Sequence, residues 1–235
     1  MLDVTHKKAL DLYNEYLCIG GMPAAILNYI ENNKNIFQFN EEILQMIITS
    51  YLADMSKYTE NIESIRNNKI YNSMPAQLGK ENKKFKYSLV EKSARAREYE
   101  SSMEWLLTSN MLLKCQSVSN PKSPLKAYIE NNFKIYLSDI GLLRVLCKIS
   151  INEIFTNKNM LYKGVFIENY VAENLYCKYR ELYYWALGNE YEVDFLINLD
   201  GDIIPIEVKA SDNTTSKSLN YYIKRYKPKY AIRLS

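Results

Sequence analysis

The stretch Gly164–Lys209 reads GVFIENYVAENLYCKYRELYYWALGNEYEVDFLINLDGDIIPIEVK and holds charged residues where the surrounding pattern favours apolar ones. Glu168 opens a helical pattern whose inward stripe continues at Val171 and Leu175, because residues three and seven positions further on share its helix face. We therefore predict that the Glu168 carboxylate faces the core of the protein and not the solvent.

Two strand-like runs follow this helix, and each carries charged side chains. Asp194 interrupts the run Tyr191–Ile197, in which β-branched and aromatic residues otherwise dominate. Glu207 and Lys209 close the run Ile203–Lys209, and because strand side chains alternate, these two share one face of that strand. A short polar turn between the runs favours their pairing as neighbouring antiparallel strands. The sequence therefore predicts that the two carboxylates and the lysine meet at one end of a sheet.

Two carboxylates and a lysine at one end of a sheet are the groups that phosphodiester hydrolysis requires. Mg²⁺, or Mn²⁺ in its place, takes oxygen ligands and is usually held by one or two carboxylates together with substrate phosphates, which Asp194 and Glu207 can provide. A lysine beside the ion stabilises negative charge on the phosphate and on the attacking hydroxide, and this is the catalytic role predicted for Lys209. Glu168 is the predicted third metal ligand or orienting group. The alternative is a solvated Lys–Glu pair at a sheet edge, with Glu168 as an ordinary surface acid.

The pattern Glu168, Asp194, Glu207-Val208-Lys209 resembles the active-site pattern of the PD-(D/E)xK nuclease superfamily. This resemblance implies an α/β domain with the restriction-endonuclease-like element order αβββαβ. The elements predicted from periodicity follow that order: a helix over 164–180, strands near 182–187, 191–198 and 203–210, a helix over 215–227 and a strand over 229–234.

The chain before residue 159 is predicted to be mainly helical and to end in a winged helix. Several helices lead to a basic helix over roughly 90–110, and two strands over 111–118 and 133–137 complete the pattern, after which Asp139 is predicted to cap a short helix. In winged helices the basic helix commonly enters the major groove. The predicted nucleic-acid contacts are Lys83, Lys84, Lys86, Lys92, Arg95 and Arg97. Because winged helices also dock proteins, a protein-binding role stays open.

The polar connector 150–163 is the predicted domain boundary. It separates a helical region with a winged-helix module for DNA or protein, 1–158, from a nuclease-like domain, 159–235.

Other segments extend the resemblance over nearly the whole chain. They are GGMPAAI at 20–26, YLADMSKY at 51–58, NKKFKYSLVEKSARAREY at 82–99 and FKIYLSDIGLL at 133–143. With the C-terminal patterns they resemble bacterial and archaeal AAA-type ATPases that carry a C-terminal domain of unknown function similar to PD-(D/E)xK nucleases. Members of that family have an N-terminal P-loop ATPase domain, and no GxxxxGK[ST] sequence occurs in these 235 residues.

Composition excludes several other classes of function. The single histidine, His6, excludes Ser-His-Asp catalysis and histidine-based metal centres, and four scattered cysteines without a CxxC pair argue for reduced thiols in a cytoplasmic protein and against a zinc site. No apolar run approaches the ~20 residues of a membrane helix. The net charge of +3 is too small by itself to indicate a nucleic-acid partner.

Two functions follow as expectations. The first is the C-terminal portion of an AAA-type ATPase family protein with a Mg²⁺-dependent DNA endonuclease-like domain, which has DNA as its partner. The alternative is a non-catalytic module that binds DNA or protein and works with an ATPase domain supplied elsewhere.

Overall fold

The computed structural model describes residues 2–156, 160–209 and 216–234. The helices are α1 (Leu2–Ile19), α2 (Pro23–Glu31), α3 (Glu42–Tyr58), α4 (Asn61–Leu78), α5 (Tyr87–Val90), α6 (Ala96–Thr108), α7 (Ile140–Leu146), α8 (Ile151–Phe155), α9 (Met160–Tyr179) and α10 (Lys217–Tyr226). The strands are β1 (Leu112–Val118), β2 (Ile129–Leu137), β3 (Leu182–Leu187), β4 (Tyr191–Leu199), β5 (Asp202–Val208) and β6 (Ile232–Leu234). The predicted α/β class, with a helical N-terminal region, is confirmed.

All six of these strands form one mixed sheet in the order β2-β1-β3-β4-β5-β6. The pairs β1–β2, β3–β4 and β4–β5 are antiparallel, whereas β1–β3 and β5–β6 are parallel. The sheet therefore takes strands from both sides of the predicted domain boundary. That boundary, between residues 158 and 159, lies outside the described residues.

The hairpin expected of a winged helix is part of the larger sheet. β1 and β2 pair as an antiparallel hairpin, but β1 also pairs with β3 along Cys115–Val118. Cys115 and Val118 are fully buried, one in each of two apolar clusters, so both faces of β1 are covered. A projecting two-stranded wing would leave one face of such a strand in water, and burial of this apolar surface favours the extended sheet.

Helices cover the two faces of the sheet. On one face α9 packs through Val171 and Ala172 into a core that includes Phe195 and Ile206. On the other face, Tyr222 of α10 joins a smaller apolar cluster with Trp185, Val193 and Leu196. Neighbouring residues of one strand, such as Phe195 and Leu196, thus enter different clusters, as strand alternation requires.

The N-terminal helices dock on the sheet-bearing part of the chain through a tight contact. Gly20, between α1 and α2, has a φ of +72°, and a Cβ at this position would lie 2.3 Å from Oδ1 of Asp139. The Gly21 amide donates to Oδ2 of Asp139 at 2.7 Å. Asp139 also caps α7 by accepting a hydrogen bond from the Leu142 amide at 2.9 Å, as predicted. One buried carboxylate therefore holds the α1–α2 turn against the start of α7.

No helix in the described ranges combines the length and the apolar character needed to cross a membrane.

Candidate functional site

Asp194 lies at a bulge in β4. Tyr183 pairs with Leu196 and Trp185 pairs with Val193, so β4 uses one residue more than β3 over the same distance. Bulges of this kind re-aim side chains and are frequent beside active sites. The β4–β5 ladder begins only at the next residue, Phe195, and Oδ2 of Asp194 accepts a hydrogen bond at 2.8 Å from the backbone amide of Val208. The carboxylate therefore lies between the two strands at the end of their ladder.

Glu207 and Lys209 form an ion pair at the same end of β5. The Lys209 ammonium lies 2.6 Å from Oε1 of Glu207, and Ser216, the N-cap of α10, donates its hydroxyl to the same oxygen at 3.0 Å. Ile206 and Val208 pack toward α9, so the residue between them is directed to the α10 side. The other oxygen, Oε2 of Glu207, is buried and has no hydrogen-bond partner in the described part of the chain.

Glu168 is buried on α9 and its two oxygens are already occupied. Oε1 accepts hydrogen bonds from the Tyr136 hydroxyl at 2.6 Å and from the Lys134 ammonium at 3.3 Å. Oε2 forms an ion pair with Lys83. Burial alone would raise the pKa of Glu168, but Lys134 and Lys83 outweigh burial and hold that pKa at about 2. Glu168 therefore carries a permanent negative charge that two lysines compensate.

Lys134, which the sequence analysis did not single out, lies at the centre of this arrangement. Its side chain is fully buried, and its ammonium lies 2.6 Å from Oε1 of Glu192, 3.3 Å from Glu168 and 3.8 Å from Oδ1 of Asp194. Burial opposes the charge, yet the three carboxylates raise the pKa of Lys134 well above its ordinary value. The signal was present: a lysine interrupts the apolar run 133–137, as an aspartate interrupts β4. Strand alternation also indicates that Glu192 and Asp194, two positions apart, lie on the same face of β4.

The Asp194 carboxyl group lies between two groups of charged side chains, one around Glu168 and one around Glu207. Burial is the largest effect on its carboxyl, and together with the charges of Glu168 and Glu207 it raises the pKa to about 7, against the opposing effect of Lys134. The cluster contains four carboxylates, on Glu168, Glu192, Asp194 and Glu207, and three ammonium groups, on Lys83, Lys134 and Lys209. The site therefore has one carboxylate more than it has ammonium groups, and an added cation would favour the ionised form of Asp194.

The donor set suits a metal ion only in part. Among the described residues, no three or more His, Cys, Asp or Glu side chains are grouped so as to hold one. Glu168 offers no free oxygen. Within the described ranges, Oε2 of Glu207 has no hydrogen-bond partner, and the contact found for Oδ1 of Asp194 is with the more distant Lys134. Two carboxylates of this kind are what Mg²⁺ requires when substrate oxygens and water complete its coordination.

The six basic residues predicted to contact nucleic acid differ in exposure and in their contacts. Lys83 is paired with Glu168, and the Lys84 ammonium donates to the carbonyl of Gly188 at 3.3 Å. The backbone of this segment lies beside β2, with a β-bridge between Lys84 and Lys134. The other four predicted contacts are exposed around α5 and the start of α6: Lys86, Lys92, Arg95 and Arg97. Lys92, Arg95 and Arg97 were predicted to lie on one basic helix, and of these only Arg97 lies within α6, which begins at Ala96.

Comparisons with known proteins give a match in each of two parts of the chain. Residues 10–153 match a family described as Domain of unknown function (DUF8612), and residues 163–235 match Domain of unknown function (DUF4143). No curated protein matches the chain, and neither does any solved structure. The chain therefore belongs to the DUF8612 family, whose match covers more than half of it, and its C-terminal part is similar to DUF4143.

Proposed function

We propose that this chain is a metal-dependent phosphodiesterase of the PD-(D/E)xK kind that acts on DNA. The observation that carries the proposal is the arrangement of Asp194, Glu207 and Lys209 at the end of the β4–β5 ladder, where one buried oxygen of Glu207 has no partner among the residues that the structure describes. An unpartnered buried carboxylate oxygen is costly, and a bound cation would remove that cost.

Asp194 and Glu207 would hold Mg²⁺ or Mn²⁺, which supplies a Lewis acid and lowers the pKa of bound water. Ser216 and Lys209 both bind Oε1 of Glu207 and thereby orient its free Oε2. The Lys209 side chain is 39% exposed, so its ammonium can also approach a phosphate and offset charge in the transition state. Its pKa is raised, partial burial being outweighed by Glu207 and the more distant Asp194 and Glu168, so the amine stays protonated.

The buried cluster around Lys134 acts indirectly in this proposal. It fixes Glu168 and Glu192 and places a positive charge 3.8 Å from Oδ1 of Asp194. That charge lowers the cost of ionising Asp194 without coordinating anything itself. Glu168 is then a positioning residue and not a ligand. We further propose, from the sequence resemblance to AAA-type ATPases, that the domain works together with a P-loop ATPase domain.

A specific observation favours a second candidate, a binding module without turnover. The Lys134 ammonium already lies among three carboxylates, where a cation would otherwise be attracted, and Glu168 has no oxygen to offer. In this alternative the lysine has replaced the metal as the internal counter-charge, and the fold is kept for docking DNA or protein.

Nicking of supercoiled plasmid with Mg²⁺ or Mn²⁺ separates the two candidates. We expect nicking by the wild type and by Glu190→Gln, which removes an exposed carboxylate in the β3–β4 turn, and loss of nicking in Asp194→Ala. Chelation of the metal should stop the reaction. Absence of nicking in a folded wild-type protein that still binds DNA would favour the binding module.

A further inference from the structure

The positive charge of this protein is concentrated at its C-terminus. Residues 216–234 contain no acidic side chain and six basic ones: Lys217, Lys224, Arg225, Lys227, Lys229 and Arg233. The whole chain has 30 basic and 27 acidic residues, so the remainder carries 24 basic and 27 acidic ones and is net negative. A basic segment on an otherwise acidic protein is an electrostatic footprint for an anionic partner.

Helix α10 presents part of this charge on one exposed face. Leu219 and Tyr222 are buried against the sheet, while Lys217, Lys224 and Arg225 are exposed. Positions 217, 221, 224 and 225 lie on the same side of the helix, because they are four, seven and eight residues apart. Eight residues correspond to about 12 Å along the helix, or three to four phosphates of a DNA strand at ~3.4 Å each.

Aromatic rings hold two of these cations, Lys217 and Arg225, in place without neutralising them. The Lys217 ammonium lies 5.0 Å from the ring centroid of Tyr191, and the Arg225 guanidinium lies 6.0 Å from that of Tyr221 and 5.4 Å from that of Tyr226. The Tyr191 and Tyr221 rings stack on each other with centroids 4.0 Å apart.

Among the described residues, no carboxylate partner is found for the basic side chains of the α10 face. Within the described ranges, Lys217, Lys224, Arg225 and Lys227 form no ion pair, whereas Lys229 pairs with Asp202 at 3.6 Å. Cation–π contacts preserve the full charge of the side chain. The side chains of this face are therefore preorganised, which lowers the entropic cost of binding an anion. Their positive charge stays available to such an anion.

The charged face begins beside the candidate metal site. Ser216 caps α10 and donates its hydroxyl to Glu207, and Lys217 is the next residue. Of the basic residues predicted from the sequence, Lys83 and Lys84 make contacts within the protein, whereas the other four are exposed around α5 and the start of α6.

We propose that the exposed face of α10, formed by Lys217, Tyr221, Lys224 and Arg225, binds the phosphate backbone of DNA and leads a phosphodiester to Asp194 and Glu207. Delivery to these carboxylates rests on the proposed phosphodiesterase function, whereas binding to the face does not. Regularly spaced phosphates match a row of fixed cations along a helix, and such backbone contacts supply sequence-independent affinity.

Binding of a short labelled duplex, measured by fluorescence anisotropy in EDTA over a range of salt concentrations, tests the face independently of turnover. The test variant combines Lys217→Gln, Lys224→Gln and Arg225→Gln. The control variant combines Lys7→Gln, Lys8→Gln and Lys34→Gln, which removes the same charge from exposed positions on α1 and after α2. Each lost phosphate contact lowers the slope of log affinity against log salt by about 0.9, so the test variant should lose about 2.7 and the control none.

The outcomes distinguish this proposal from the proposed function. Equal loss of affinity in both triple variants, or no loss in the α10 variant while the wild type binds, would overturn the α10 face. If the wild type nicks plasmid and the α10 variant binds DNA as well as the wild type does, the phosphodiesterase proposal holds and the α10 proposal is overturned. If DNA binding depends on α10 but the protein never nicks plasmid, the α10 proposal holds and the phosphodiesterase proposal is overturned. Melting curves of both variants should match that of the wild type, because all six substitutions are at exposed positions.

Discussion

Burial and the neighbouring charges both act on the side chain of Asp194. Its carboxyl lies between the groups centred on Glu168 and Glu207, and burial with these two neighbours raises its pKa to about 7. An aspartate in an unfolded chain has a pKa of about 3.9. The folded protein thus retains this proton between roughly pH 4 and pH 7, where the unfolded chain releases it. The resulting stabilisation is complete below about pH 4 and is lost as the pH rises toward 7.

Asp194→Asn should therefore stabilise the metal-free protein at pH 8 and leave it nearly unchanged at pH 4. The amide still accepts a hydrogen bond from the Val208 amide, but it never has to ionise in a buried position. The gain should be of the order of a few kcal/mol, since one pKa unit corresponds to about 1.4 kcal/mol. Urea unfolding at the two pH values measures it, with Glu190→Gln as the exposed control. A less stable Asp194→Asn protein at pH 8 would contradict this account of the carboxyl.

Single charged residues were predictable where they break a local pattern. Glu168 was predicted to face the core and is buried, and Glu207 and Lys209 were predicted to share a strand face and are in contact. Lys134 breaks its strand in the same way, but its role depends on Glu168, which lies 34 residues later in the chain. Local periodicity carries no information about such a distant partner.

Among the elements, the helices and strands around the site follow the predictions closely, whereas the place of the β1–β2 hairpin in the sheet was not predicted. The sequence indicated these two strands, but local alternation identifies strands and not their neighbours in a sheet. The parallel pairing of β1 with β3 joins residues more than sixty positions apart. The boundaries of α9 and α10 were easier to predict, since each has its own apolar periodicity.

The contact between the α1–α2 turn and α7 gives a prediction about packing. Gly20→Ala should destabilise the protein by several kcal/mol, because it combines the cost of a positive φ, about 1–2 kcal/mol, with a clash against the Asp139 carboxylate. Gly188→Ala is the matched control: its φ is +59°, and no atom lies within 4 Å of the added Cβ. Thermal unfolding should therefore separate the two variants. Equal losses of stability would mean that the backbone conformation alone matters and that the close approach of Asp139 does not.

Across the chain as a whole, the N-terminal region and the C-terminal part share one sheet and one candidate site. β2 supplies Lys134 and Tyr136, the segment before α5 supplies Lys83, and these three side chains surround Glu168 of α9. The candidate site is thus not a property of residues 159–235 alone. The αβββαβ order could be predicted from the C-terminal pattern, but the contribution of the first 158 residues depends on long-range pairing.

Binding of a metal ion should be visible in the stability of the full chain. The cluster has one carboxylate more than it has ammonium groups, and Glu207 has an unpartnered buried oxygen, so a divalent cation should bind the folded state and not the unfolded chain. At a concentration of ~100 Kd, Mg²⁺ or Mn²⁺ should stabilise the protein by about 2.7 kcal/mol. For a chain of this length that corresponds to a rise in Tm of roughly 5–11 °C.

Two variants test whether the metal-dependent rise in Tm comes from the candidate site at Asp194 and Glu207. Asp194→Ala should abolish most of the metal-dependent rise in Tm together with nicking, whereas Lys209→Ala should keep the rise and lose nicking, because the lysine acts on phosphate and water and is not a ligand. Glu190→Gln should behave as the wild type in both measurements. A wild-type protein whose Tm does not respond to either metal would show that Lys134 already supplies the only cation the carboxylates need, and the binding module would then be the better description.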